Sequence, residues 1–149
     1  RGIGTGIGPI MARKFLTNEE KWPILIGQLV VLSGLFYFMV GLTLDINLWL
    51  TVFLIMLAHS ASGANWVLST ILTQMWVEDE VRGRVFSIDM LIMSIAFSIS
   101  SASAGFMLEY GVLNLQNGFL SFSLLMMLSG MIFTLWSPKE NIRINSSQD

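Results

Sequence analysis

Cysteine does not occur among the 149 residues, which excludes a disulfide framework and a thiolate metal site. Charge is scarce. Only 12% of the residues are Asp, Glu, Lys or Arg, against about 25% in an ordinary soluble domain. There is one histidine. No H-E-x-x-H, no G-x-S-x-G and no paired carboxylates within an apolar run occur, so the chain is not expected to be an enzyme. No metal and no cofactor is expected. The net charge of −2 offers no basic balance for nucleic acid. What is abundant is apolar residues: 54% of the chain, with a mean hydropathy of +0.69. They come in long runs rather than on one face of a periodic pattern, which makes lipid the solvent. The chain opens on Arg1-Gly2-Ile3-Gly4 with no initiating Met and no signal peptide, and reads as a fragment.

Charged residues punctuate the runs. None occurs in 22–44, 46–77 or 110–138, and only Asp89 occurs in 85–108. A spanning helix needs about 20 apolar residues, so each run is long enough. A soluble bundle would need polar faces. A membrane barrel would need strict alternation, which 48–57 lacks. In lipid the backbone must be satisfied within the segment, so the runs are helices. The expected fold is an all-α membrane protein with four transmembrane helices, at 23–44, 46–76, 85–108 and 117–136. Residues 1–12 read as the end of an earlier one, 13–22 as a cytoplasmic loop and 137–149 as a cytoplasmic tail. The second run exceeds what a bilayer needs, which implies a tilt or a kink around His59-Ser60-Ala61-Ser62-Gly63.

The loops set the orientation. Arg13, Lys14 and Lys21 lie before the first full run, Arg82 and Arg84 between the second and third, and Lys139 and Arg143 after the fourth. The other two loops carry Asp45 and Glu109. The basic segments, C-terminus included, are therefore expected in the cytoplasm of a multi-pass protein of the cell membrane. Trp22, Trp76 and Trp136 fall at the cytoplasmic ends of the runs and Trp49 near an outer end, where indoles favour the headgroup zone.

Several motifs invite chemistry. Gly2-Ile3-Gly4-Thr5-Gly6-Ile7-Gly8-Pro9 suggests a nucleotide loop, but the third glycine of G-x-G-x-x-G is missing and no strand precedes it. Close helix approach is the better reading. Gly27, Gly34 and Gly41 share one helix face and mark a second contact. In 46–76 a polar stripe runs through Ser62, Asn65, Trp66, Ser69 and Thr73, with His59 one turn earlier. In 85–108 Ser94, Ser98, Ser101 and Gly105 share a face. Polar groups in hydrocarbon must face protein or water, so both stripes are candidates for the wall of a substrate cavity. Packing is the competing reading, with serine hydroxyls bonded back to their own helices, and it leads for the serines. An imidazole titrates near neutral pH and can carry a proton. No carboxylate partner is visible for His59, so an interhelix hydrogen bond leads there. Asp89, one turn inside its run, suits pairing with Arg82 or Arg84 and the positive end of the helix dipole.

The stretch His59-Ser-Ala-Ser-Gly-Ala-Asn-Trp-Val-Leu-Ser-Thr-Ile-Leu-Thr-Gln74, followed by Glu78-Asp79-Glu80-Val81-Arg82-Gly83-Arg84-Val85-Phe86-Ser87, resembles the tenth and eleventh spans of a major facilitator superfamily transporter, in its bacterial exporter-like branch. Gly6-Ile7-Gly8-Pro9 with Arg13 is similar to the end of the eighth span. The resemblance implies that the four runs are the ninth to twelfth spans of a C-terminal six-helix half. It implies solute transport by alternating access, with the missing N-terminal helices as partners beside the lipid bilayer. It also puts the seventh, eighth, tenth and eleventh spans near the cavity and the ninth and twelfth outside. One motif is absent: the loop Ala12-Arg-Lys-Phe-Leu-Thr-Asn-Glu-Glu-Lys21 lacks the Gly-x-x-x-Asp-Arg-x-Gly-Arg pattern of a gating loop. Gating or loop roles fall instead to Arg82, Gly83, Arg84 and Asp89. Gly83 and Arg84 are expected to matter for conformation or assembly, with Arg84 pairing with the neighbouring acids and capping the preceding helix. The expected function is efflux-type secondary transport of a small solute. The alternative is a non-transporting membrane remnant or a small scaffold that binds another membrane protein.

Overall fold

A computed structural model describes residues 2–12 and 21–136. The expected loop with Arg13 and Lys14, and the tail with Lys139 and Arg143, lie outside the described residues. Among the described residues five helices follow one another: α1 (Gly2–Ala12), α2 (Trp22–Thr43), α3 (Leu48–Trp76), α4 (Asp79–Glu109) and α5 (Leu115–Trp136). The last four are each long and apolar enough to cross a membrane. At 1.5 Å rise per residue, the 22 residues of α2 or α5 match a hydrocarbon core about 30 Å thick. The 29 of α3 and 31 of α4 exceed it. α3 runs unbroken through His59–Gly63.

The short connections explain the helix ends. The Asn47 side chain accepts the Leu50 amide at 3.1 Å and starts α3. Thr51 then ties the hairpin shut, its hydroxyl 3.0 Å from the Thr43 carbonyl and 3.1 Å from the Thr43 hydroxyl. Asn114 caps α5 in the same way, accepting the Asn117 amide at 2.7 Å. Each such cap contributes about 1 kcal/mol. α4 starts at Asp79 rather than at 85. The expected start followed the apolar run, but Asp79 and Glu80 in the first turn complement the helix dipole and let the helix extend over polar sequence. After α4 the chain reverses at Gly111, whose φ of 67° is the left-handed conformation glycine adopts most readily.

Packing follows the order α1, α3, α2, α5, with α4 beside α5. The α2–α5 contact runs the length of the glycine face. Gly27 lies against Gly130 and Thr134, Gly34 against Ser123 and Met127, and Gly41 against Phe119 and Leu120. Numbers rise on one helix as they fall on the other, so α2 and α5 are antiparallel. A β-carbon on Gly34 would stand 2.7 Å from Met127 Cγ, which is why that seam needs glycine. At the α1–α3 contact the helices run parallel: Gly4 meets the Met56 carbonyl, Gly8 the Ser60 carbonyl, and Thr5 faces Gly63. Gly2 and Gly6 face open space. Four-residue spacing thus selects the contact face from a segment with glycine at every second position.

Trp22 is enclosed by protein at the start of α2. It is buried with Ile26, Leu68 and Leu72, where the start of α2 crosses the end of α3. Its ring fills a packed crossing, and its indole nitrogen is enclosed without a partner among the described residues. Trp49, Trp76 and Trp136 are exposed.

Candidate functional site: the polar seam of the first hairpin

The candidate residues divide between two helices that the structure treats differently. On α3, Ser62 lies in the contact with α2. Its hydroxyl is 2.9 Å from that of Ser33, which is fully buried and donates to the Ala58 carbonyl at 3.0 Å. One turn toward the other end of the seam, His59 Nδ1 stands 3.0 Å from the Tyr37 hydroxyl. The two rings meet edge to face with centroids 5.8 Å apart. Tyr37 also stacks on Phe119 of α5, so it bridges three helices. Asn65 is half-buried, and its side-chain oxygen is enclosed with no partner among the described residues. Trp66 points outward, 46% exposed. The Ser69 hydroxyl is bonded to the Trp66 carbonyl at 3.0 Å.

On α4 the serines stand apart from that seam. Ser94 bonds back to the Met90 carbonyl at 2.7 Å and Ser98 to the Ser94 carbonyl at 2.8 Å. Ser94, Ser98, Ser101 and Gly105 are all exposed. A β-carbon on Gly105 would meet nothing within 4 Å. The structure therefore does not bring the α3 and α4 stripes together. The helix beside α4 is α5, and a cleft of about 340 Å³ between the end of α4, α5 and Tyr37 is lined by apolar side chains such as Met107, Phe119, Phe122 and Met126. A second cleft of about 390 Å³ opens between α1, α2 and α3, with Ser60 and Gln28 among apolar neighbours. Neither cleft is lined by Ser94, Ser98 or Ser101.

At the α3–α4 turn, Arg82 rather than Arg84 makes the expected contacts. Its guanidinium donates to the Val77 carbonyl at 3.1 Å and pairs with Asp79. Once α4 begins at Asp79, positions 79 and 82 fall one turn apart on the same face. Arg84 points elsewhere. Arg84 and Asp89 are exposed and take no partner among the described residues, and Gly83 faces open space.

Sequence reasoning did not single out Ser33 and Tyr37. The available signal was their one-turn spacing, four residues apart in one arm of a hairpin, opposite His59 and Ser62, three apart in the other.

The sequence model of the Major Facilitator Superfamily matches residues 2–148. The chain belongs to the major facilitator superfamily. Membership agrees with the parallel α1–α3 and antiparallel α2–α5 pairings, which alternating spans require. Members of this superfamily are secondary transporters rather than enzymes, and its helices are membrane-embedded. Comparison with curated proteins and with solved structures brings no match.

Proposed function

We propose that the chain is part of the C-terminal half of a secondary transporter that moves a small solute outward across the cell membrane by alternating access. The superfamily match over residues 2–148 carries this reading. The contrast between helices supports it. α2 and α5 lock together through glycines, whereas α4 presents serines and has no buried residue. On this reading α4 borders the solute path and further helices of the same transporter lie against it. His59, Asn65, Trp66 and Ser69 of α3 and Ser94, Ser98 and Ser101 of α4 are then the cavity candidates, with Ser62 holding the α2–α3 seam. The turn with Arg82, Gly83, Arg84 and Asp89 lies on the cytoplasmic side, as does the C-terminus.

Everted membrane vesicles carrying the complete polypeptide test it. Gradient-driven uptake of a cationic or amphipathic dye is expected, with reduced uptake when Ser98 is replaced by Leu. Vesicles that transport nothing across a broad solute panel, from a protein normally inserted in the membrane, would favour the non-transporting scaffold.

A further inference from the structure

His59 is the chain's one histidine, and it sits where three helices meet. On the α1 side, a β-carbon on Gly4 would lie 3.1 Å from His59 Cβ. On the α2 side, Tyr37 meets the imidazole edge to face. Nδ1 has two neighbours: the Tyr37 hydroxyl at 3.0 Å and the carbonyl oxygen of Ile55, one turn back on α3, also at 3.0 Å. These contacts are not equivalent. A hydroxyl donates or accepts, but a carbonyl oxygen has no proton to give. At 3.0 Å the Ile55 contact is a hydrogen bond only if Nδ1 carries the hydrogen. The other tautomer would set two lone pairs against each other. The Tyr37 oxygen is placed to take the second branch of a three-centre bond.

We infer that Ile55 and Tyr37 hold His59 in the Nδ1–H tautomer, leaving Nε2 as the atom that accepts either a proton or the hydroxyl or ammonium hydrogen of a solute. Tyr37 is the positioning residue. The Nδ1 bonds persist when Nε2 is protonated, so the ring keeps its seat through the change. The surroundings make that proton consequential. Gly2–Ala12 contains no titratable side chain, Trp22–Thr43 contributes Tyr37 alone, and Leu48–Trp76 has none besides His59. With no carboxylate facing it from α1, α2 or α3, a charge on His59 favours whichever arrangement of the helices lets Nε2 meet water. The use of this atom in transport rests on the transporter reading; the tautomer does not.

The complete polypeptide is labelled with ¹⁵N-histidine, purified through a tag free of histidine and placed in lipid nanodiscs. The imidazole nitrogens of His59 are identified in magic-angle-spinning spectra as the signals lost in His59→Gln. The expected neutral form has a protonated Nδ1 and a bare Nε2 as its dominant pattern, and acidification moves the Nε2 signal far more than the Nδ1 signal. In water the opposite tautomer prevails, so a dominant Nε2–H pattern overturns the inference. Tyr37→Phe keeps the ring contact and removes one acceptor. It is expected to raise the Nε2–H fraction at least twofold, and an unchanged fraction overturns the role given to Tyr37. Should that variant fail to fold, the wild-type spectrum alone decides the tautomer. Dye transport by the complete polypeptide is scored separately, so loss of the transporter reading and loss of the tautomer are distinguishable.

Discussion

α2 and α4 are both apolar helices with serines, yet one is held on two sides and the other on almost none. α2 buries Ile26, Gly27, Ser33, Gly34, Val40 and Gly41 between α3 and α5. α4 buries nothing. Hydropathy cannot explain the difference, because lipid is as good a solvent for Leu as another helix is. Backbone proximity can. Gly27, Gly34 and Gly41 repeat at an interval that keeps them on one face and find Gly130, Ser123 and Leu120 opposite. Ser94, Ser98, Ser101 and Gly105 are equally small and equally aligned, but no α-helix among the described residues lies against them. A face of small residues licenses contact without creating it.

The contrast breaks most visibly at the glycine crossings. Gly8→Ile should drive a side chain into the Ser60 carbonyl and destabilise the α1–α3 pair by about 1–3 kcal/mol, as overpacking does. Gly6→Ile, facing open space, should change stability by less than about 0.5 kcal/mol. Thermal unfolding of both variants in the same detergent measures the difference, and equal losses would remove the case for a selected contact face.

Next is the hairpin that delivers α3 to α2. Asn47→Ala removes the cap on Leu50 and should cost about 1 kcal/mol, while Asn47→Asp should retain most of it. Unfolding midpoints of the two variants provide the check. A double-mutant cycle on Ser33→Ala and Ser62→Ala sharpens the comparison further. The 2.9 Å contact predicts a coupling of about 0.6 kcal/mol, typical of hydrogen bonds between membrane helices. Replacing Ser98 by Ala on α4 should couple to neither.

The smallest expected effect separates the two arginines of the turn. Arg82→Ala loses the Asp79 pair and the bond to Val77. The pair is partly exposed, so the cost should be about 0.2–1 kcal/mol. Arg84→Ala should be neutral in stability, and both should leave the range of transported solutes unchanged. A changed substrate range with normal abundance and turnover would place either residue on the solute path instead.

Much of the fold was legible because the bilayer imposes simple rules. Unbroken uncharged runs can only be helices there, and the glycine spacing in α2 announced a contact. The site was less legible. Ser62 and His59 were identifiable as polar groups needing partners, but Ser33 and Tyr37 lay inside an apolar run whose facing helix was unknown. Arg82 and Arg84 were indistinguishable until the first residue of α4 was known, since that start sets which of them shares a face with Asp79.

The sequence by itself determined that four helices are long and apolar enough to cross, that their hairpins alternate in direction, and that Gly27, Gly34 and Gly41 share one face. Length, hydropathy and helical period are local properties, and one chain segment is enough to read them. Only the tertiary structure decided that this face meets α5, that Gly4 and Gly8 rather than Gly2 and Gly6 carry the α1 crossing, that Trp22 is buried, and that Tyr37 joins His59. Each of those depends on the rotation and height of one helix against another. Those are set by close packing and by hydrogen bonds between residues far apart in the chain, which no single segment encodes.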